Sequence, residues 1–158
     1  MEAYTIRKAR MSDIKVMHRL LMSCAQKSQL LPRSLNSLYG HVRDFYVAEE
    51  IATGTPVGCC ALTICWEDLA EVRSLALDEA HKGRGVGRAM VQTCLDEASQ
   101  LGLSRVFALT YVVDFFRRCG FSEVEKDTLP QKVWSDCINC PKFPECDETA
   151  MLITLTPR

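Results

Sequence analysis

The chain has 158 residues, of which 47% are hydrophobic and 25% are charged, and its formal net charge is −1 at pH 7. This length predicts a single domain over residues 1–158 that buries roughly two-thirds of its unfolded surface. The neutral charge balance argues against a nucleic-acid or membrane-surface binder. No apolar run reaches the roughly 20 residues that span a bilayer, and the N-terminus lacks a signal-peptide pattern, so a cytoplasmic location is expected.

The first half of the chain alternates apolar segments with turn signals. Tyr4 to Lys8 predicts an edge strand, and Ser12 is a candidate N-cap for a helix with apolar residues on one face. Ser34 is a candidate cap for a second helix. Two strands follow, joined by a turn signal, at Phe45 to Glu49 and at Val57 to Trp66.

The second half is organised around a buried strand, a glycine-rich loop and a long helix. Val72 to Leu77 predicts the strand, and the helix ends at Gly102. The resulting order, β-α-α-β-β-β-α-β-α-β-β, predicts an α/β (α+β) fold, a mixed six- or seven-stranded sheet with helices on both faces. The remaining predicted elements are a strand at Val106 to Thr110, a short helix at Val113 to Cys119, and strands at Phe121 to Val124 and Met151 to Leu155.

Nine cysteines are an unusual number for this length. An odd total without a secretion signal argues against a disulfide framework. Six of the cysteines have apolar or helical-face neighbours, where a reduced thiol packs as a small hydrophobe. These six are Cys24, Cys59, Cys60, Cys65, Cys94 and Cys119.

The other three cysteines, Cys137, Cys140 and Cys146, are closely spaced. Three thiolates with a nearby carboxylate match a zinc site, but no second Cys-x-x-Cys pair or neighbouring histidine accompanies them. A reduced, packed loop is therefore preferred, and no metal is expected.

The glycine-rich loop has chemistry suited to phosphate. Its glycines stand at every other position, and a residue without Cβ lets the backbone approach a ligand closely. The helix that follows offers unpaired N–H groups and the positive end of its dipole. We therefore predict a diphosphate cradle formed by Lys82, Gly83, Arg84, Gly85, Val86, Gly87 and Arg88.

Two other phosphate loops are excluded by the residues present. A Walker A loop requires Lys-Ser or Lys-Thr after its last glycine, where this chain has Arg88-Ala89. The dinucleotide fingerprint requires a last glycine where Arg88 or Met90 stands, and no acidic residue follows about 20 positions on. A flexible connection with solvated basic residues remains the alternative.

The pattern Lys82-x-x-Gly85-x-Gly87 resembles the coenzyme A loop of the GNAT superfamily of N-acetyltransferases, although that family usually has Arg or Gln in place of Lys82. The resemblance extends over about residues 4–155 and includes Ala108 to Thr110 and Phe115 to Phe121. It implies acetyl-CoA as cosubstrate and a strongly twisted sheet whose central strands splay apart. The pantetheine arm is then expected to bond to the main chain of Leu75, Ala76 and Leu77.

Acetyl transfer needs a proton acceptor for the amine and a donor for the oxyanion. Glu71 precedes the central strand and is our candidate acceptor, with a solvated turn carboxylate as the alternative. A backbone N–H near Leu75 is the candidate donor. GNAT enzymes often protonate the leaving thiolate with a tyrosine, but Phe116 occupies that position, so Tyr111 is the candidate substitute.

Several segments, including Glu71 to Leu77 and Leu31 to Leu35, look like the short single-domain N-acetylglutamate synthases of bacterial arginine biosynthesis. Arg73 lies in mid-strand, where a guanidinium usually has a partner. We expect Arg73 and Arg33 to bind the two carboxylates of L-glutamate. The alternatives are an ion pair of Arg73 with Glu71 or Asp68, and an exposed loop charge for Arg33.

Two further functional hypotheses stay open. A GNAT enzyme of this size could instead acetylate another amino acid, a small amine or a protein N-terminus. Alternatively, the chain is a CoA-binding regulatory module without catalysis, which the phenylalanine in place of the usual tyrosine favours. A small-molecule substrate is the expected partner, with no nucleic acid and no membrane, and a homodimer is left open.

Overall fold

A computed structural model describes residues 3–26, 33–129 and 148–156. They form a mixed seven-stranded sheet in the order β1-β2-β3-β4-β5-β7-β6, which does not close into a barrel. The strands are β1 (Tyr4–Lys8), β2 (Phe45–Glu50), β3 (Thr55–Trp66), β4 (Leu69–Leu77), β5 (Arg105–Thr110), β6 (Ser122–Glu123) and β7 (Thr149–Thr154). The helices are α1 (Ile14–Gln26), α2 (Leu35–Gly40), α3 (Val86–Gln100) and α4 (Val113–Arg118).

The alternation of strand direction is interrupted once, in the middle of the sheet. Strands β1 to β4 pair antiparallel with their neighbours, β4 and β5 pair in parallel, and β7 pairs antiparallel with both β5 and β6. A parallel pair requires a crossover connection, which α3 provides here. The predicted mixed sheet is confirmed, with seven strands.

The core lies on both faces of the sheet, as predicted. On one face α3 contributes Met90, Val91 and Cys94, and α4 contributes Phe116. On the other face α1 and α2 pack against β2, β3 and β4; the fully buried side chains of these two helices are Ile14, Met17, Leu21 and Leu38. Because each helix buries one face, the sheet is shielded from water over its central strands.

The six cysteines within the described residues are free thiols. Cys24, Cys59, Cys60 and Cys94 are buried, and the Cys60 and Cys94 sulfurs lie 3.8 Å apart between β3 and α3. Their role as packed hydrophobes is therefore confirmed. Cys137, Cys140 and Cys146 lie outside the described residues.

The predicted N-cap of the first helix is wrong. A 3₁₀ turn (Met11–Asp13) precedes α1, and the carboxylate of Asp13 accepts hydrogen bonds from the Arg10 N–H at 2.7 Å and from the Arg7 guanidinium at 2.8 and 3.0 Å. Burial alone would raise the pKa of Asp13, but these hydrogen bonds lower it. A helix-start pattern cannot reveal this arrangement, because Arg7 belongs to β1.

Several strand boundaries differ from the prediction; for example, β3 begins at Thr55 instead of Val57, and β7 begins at Thr149 instead of Met151. Strand β4 begins at Leu69, three residues before Val72, because its first residues pair with β5. The strand predicted at Phe121 to Val124 is reduced to Ser122–Glu123.

Among the described residues, no helix has both the length and the apolar character needed to cross a bilayer.

Candidate active site

A gap opens in the middle of the sheet. Strands β4 and β5 pair only from Leu69 to Glu71 with Arg105 to Phe107, although β4 continues to Leu77 and β5 to Thr110. Beyond Glu71, the main chain of β4 therefore borders a gap on this side instead of a neighbouring strand. Main-chain polar groups in such a gap require water or a ligand as a partner. Leu75, Ala76 and Leu77, the residues expected to bond to pantetheine, lie in this part of β4.

A β-bulge in β4 lies beside the gap. The register with β3 shifts between Ala76, opposite Cys59, and Arg73, opposite Ala61. Within the bulge Ser74 has a φ of 56°, which a residue other than glycine rarely adopts. The Cys59 thiol donates to the Ser74 carbonyl oxygen at 3.6 Å, and burial raises the pKa of this thiol to about 12. The sequence contains no signal for this bulge.

The glycines of the loop have two different structural roles. Gly83 and Gly85 have φ values of 79° and 80°, and Gly85 is the N-cap of α3. A Cβ at either position would meet nothing within 4 Å, so the backbone conformation alone favours glycine there. At Gly87 a Cβ would lie 3.4 Å from the Phe115 ring, close to ordinary van der Waals contact, so this glycine lies where α3 and α4 are near each other.

The cationic side chains of the loop surround the start of α3. Lys82 Nζ lies 3.2 Å from Glu79 Oε1. Arg84 Nη1 donates to the Tyr4 hydroxyl at 3.3 Å, while Arg88 is exposed. Three cations beside the N-terminus of a helix of 15 residues form a suitable environment for a diphosphate. The open space at the two left-handed glycines leaves room for such a group.

Glu71 and Arg73 lie where the two strands separate. Their closest charged atoms, Arg73 Nη1 and Glu71 Oε1, are 3.8 Å apart, so the ion pair that the sequence left open is present. The Glu71 side chain is 13% exposed and that of Arg73 is 33% exposed, so the carboxylate is the more sheltered partner. The last residue pair between β4 and β5 is Glu71 with Phe107, which places Glu71 at the closed end of the gap.

Arg33 approaches the same region from the start of α2. Its guanidinium donates to the Ser74 hydroxyl at 3.1 Å and to the Ser37 hydroxyl at 3.0 and 3.3 Å, and it lies 5.3 Å from the centre of the Phe45 ring. Burial first, and then repulsion by the charge of Arg73, lower the pKa of Arg33 to about 10. Arg33 is therefore a partly buried cation near Arg73, not an exposed loop charge.

The remaining candidates lie across the gap. Tyr111 directly follows β5 and is half-buried. Phe116 is buried between the rings of Phe115 and Phe121, each with its centre 5.2 Å away, so position 116 belongs to the core.

Sequence patterns did not predict a role for Ser37, Ser74 or Phe45, because only the folded chain brings these residues to Arg33. Within the described ranges no three metal-binding side chains cluster.

Comparison with known proteins identifies the family of this chain. The family model described as the acetyltransferase (GNAT) family matches residues 14–121. An uncharacterized N-acetyltransferase of Chlorobaculum tepidum is 41% identical over 95% of this chain and 96% of its own length. An amino-acid acetyltransferase of Mycobacterium tuberculosis is also 41% identical, over 83% of this chain and 75% of its own length.

Two solved structures have the same fold. The crystal structure of Rv2747 from Mycobacterium tuberculosis in complex with CoA and NLQ has a TM-score of 0.84 and 34% identity, covering 96% of this chain and 99% of that one. N-acetylglutamate synthase from Neisseria gonorrhoeae, complexed with coenzyme A and N-acetyl-glutamate, has a TM-score of 0.83 and 26% identity. The match covers 96% of this chain but only 35% of the synthase.

Replacing Gly85 tests the loop. Gly85→Ala forces a Cβ into a left-handed conformation, which costs roughly 1–2 kcal/mol of stability, and it distorts the first turn of α3. We expect the KM for acetyl-CoA to rise by roughly tenfold to a hundredfold, as measured by steady-state kinetics. Gly54→Ala is the matched control, because Gly54 has a φ of 68° and equal open space in the β2–β3 turn. If both variants have equal KM values, the loop has no role in binding.

Replacing Arg33 tests whether this cation contributes to binding of the acceptor and not to the stability of the fold. Arg33→Met keeps the aliphatic stem but removes a charge whose lowered pKa shows that the fold disfavours it. We therefore expect the melting temperature, measured by calorimetry, to stay the same or rise, while affinity for an anionic acceptor falls. Arg43→Met, which changes an exposed arginine before β2, should alter neither quantity. A large loss of stability in Arg33→Met would contradict this interpretation.

Proposed function

Since the chain belongs to the GNAT family of acetyltransferases, we propose that it transfers the acetyl group of acetyl-CoA to the α-amino group of L-glutamate. The observation that carries this proposal is the pair of cations, Arg33 and Arg73, beside the gap at Glu71. Glutamate has two carboxylates and one amine, which match two guanidinium groups and one proton acceptor. The relatives named amino-acid acetyltransferases support the same substrate class.

The loop and β4 together hold acetyl-CoA in this proposal. The N–H groups at the start of α3 and the side chains of Lys82, Arg84 and Arg88 bind its diphosphate. The main chain of Leu75 to Leu77 binds the pantetheine arm, which takes the place of the missing neighbouring strand. Acetyl-CoA supplies the thioester, and its reacting carbonyl group then lies near the closed end of the gap.

The reaction is a direct attack in a ternary complex. The amine nitrogen bonds to the thioester carbon, and Glu71 accepts the amine proton, directly or through water. A backbone N–H of β4 near Leu75 donates to the developing oxyanion. The carbon–sulfur bond then breaks, and the thiolate takes a proton from Tyr111 or from water. Because a thiol has a pKa of about 8.5, the thiolate can leave without a dedicated acid and be protonated later from solvent, so Phe116 is compatible with catalysis.

The second candidate is acetylation of a different amino acid. Arg73 already has Glu71 at 3.8 Å, which partly neutralises its charge. If that ion pair persists in the complex, only Arg33 remains for a carboxylate, and the acceptor's side chain is neutral. A regulatory module without catalysis is a third hypothesis, supported by the buried Phe116.

One assay distinguishes these functions. Release of free thiol from acetyl-CoA is followed with glutamate, glutamine, aspartate, spermidine and a short peptide as acceptors. We expect the highest kcat/KM with glutamate, and we expect Arg73→Ala to raise the KM for glutamate more than that for glutamine. Turnover with glutamine but not with glutamate would favour the second candidate. No thiol release with any acceptor would support the regulatory module.

Glu71→Gln tests the proton acceptor. The amide retains the shape of the side chain but cannot take a proton, so kcat/KM should fall by roughly 10²- to 10⁴-fold and the acidic limb of its pH profile should disappear. Glu67→Gln, in the exposed turn before β4, is the control and should leave the profile unchanged. An unchanged pH profile in Glu71→Gln would exclude Glu71 as the base.

A further inference from the structure

The Arg33 guanidinium is held by hydroxyl groups, not by a carboxylate. Its Nε and Nη2 donate to Ser37 Oγ at 3.3 and 3.0 Å, and its Nη1 donates to Ser74 Oγ at 3.1 Å. Among the residues that the structure describes, no carboxylate is in ion-pair contact with Arg33. A hydroxyl can accept a hydrogen bond without neutralising the cation. Arg33 is therefore fixed in place by neutral groups, and the carboxylates of Asp44 and Glu71 act on its charge only through space.

The number of remaining donors matches a carboxylate. A guanidinium has five N–H groups, one on Nε and two on each terminal nitrogen. Ser37 and Ser74 engage three of them, one on each nitrogen. The two that remain are distributed as one on each terminal nitrogen, and each can donate to a carboxylate oxygen.

The two hydroxyl groups come from opposite walls of the site. Ser37 lies in the first turn of α2, where its N–H donates to the N-cap Ser34 Oγ at 3.0 Å. Ser74 lies in the bulge of β4, whose left-handed backbone conformation is itself unfavourable. Since the Phe45 ring covers the guanidinium on a third side, the orientation of Arg33 is determined by α2, β4 and β2 together.

We propose that Ser37 and Ser74 are positioning residues that set acceptor selectivity, because their hydroxyls orient Arg33 so that its two remaining N–H groups bind a carboxylate of the acceptor. This inference rests on the proposed function. The proposal explains why neutral side chains contact Arg33 at positions 37 and 74. An aspartate at either position would form an ion pair with Arg33 and compete with the carboxylate of the acceptor. Selectivity for an anionic acceptor thus depends on two side chains that do not contact the reacting atoms.

The first test uses two variants at position 74 that differ only in charge. Ser74→Asp and Ser74→Asn both tolerate the left-handed backbone, so strain is similar in the two. We expect Ser74→Asp to raise the KM for glutamate by about tenfold or more relative to Ser74→Asn, and to lower the preference for glutamate over glutamine. The KM for acetyl-CoA should be the same in both. Equal glutamate KM values in the two variants would overturn the proposal, as would a parallel rise in the KM for acetyl-CoA.

The second test uses position 37 and a measurement that needs no turnover. In ¹⁵N-detected NMR, the Arg33 Nε–H should exchange slowly with water in the wild type, faster in Ser37→Ala, and slowly again in Ser37→Thr, which restores the hydroxyl. The KM for glutamate should follow the same order, rising by about five- to tenfold in Ser37→Ala. Fast exchange in the wild type, or an unchanged KM in Ser37→Ala, would overturn the role of Ser37.

The two tests separate the inference from the proposed function. If the wild type does not acetylate glutamate or aspartate, the proposed function fails, and the acceptor role of Ser37 and Ser74 fails with it. If the wild type acetylates glutamate while the serine variants match it in KM and selectivity, only the inference fails.

Discussion

The parallel pairing of β4 with β5 ends after three residue pairs, and the candidate site follows from that early end. Two strands that stayed paired to Leu77 would satisfy each other's main chain and leave no room for a ligand. Because they separate at Glu71, the main-chain groups of Leu75 to Leu77 that point away from β3 face a gap. The loop from Lys82 to Arg88 begins a few residues beyond the same strand, so both proposed contacts with acetyl-CoA follow from the course of β4.

Two locally unfavourable features are found beside this gap. Ser74 adopts a left-handed conformation, and Arg33 keeps its charge although burial and Arg73 lower its pKa to about 10. The left-handed conformation and the buried charge each oppose folding, while the hydrogen bond between the two residues connects β4 with the start of α2. Strain and a disfavoured charge in one place are typical of sites where stability is given up for function. An anion bound there would offset the repulsion between Arg33 and Arg73.

Sequence patterns predicted the features that depend on neighbouring residues. The spacing of Gly83, Gly85 and Gly87 located the loop, Gly102 located the end of α3, and Ser34 located the start of α2. These signals are local, since a positive φ or a capping hydroxyl acts within one turn of the chain. The family resemblance supplied the gap between the central strands, which periodicity alone does not reveal.

Features that depend on distant contacts were missed. Asp13 replaces Ser12 at the start of the first helix because Arg7 reaches it from β1. The bulge at Ser74 follows from the register of β4 with β3, and no residue type in β4 predicts that register. The contacts of Arg33 with Ser74 join residues 41 positions apart. In each case side chains from different elements decide the local structure, so a linear pattern cannot predict it.

Hydrogen exchange with and without acetyl-CoA tests the central claim most directly. The main-chain N–H groups of Leu75 to Leu77 that point away from β3, and those of the loop from Gly83 to Arg88, should exchange with water in the free protein and become protected when acetyl-CoA binds. Amides of β2 should be unaffected, because this strand is already paired on both sides, with β1 and with β3. If acetyl-CoA binds by calorimetry but leaves the exchange of Leu75 to Leu77 and the loop unchanged, the gap between β4 and β5 is not its binding site.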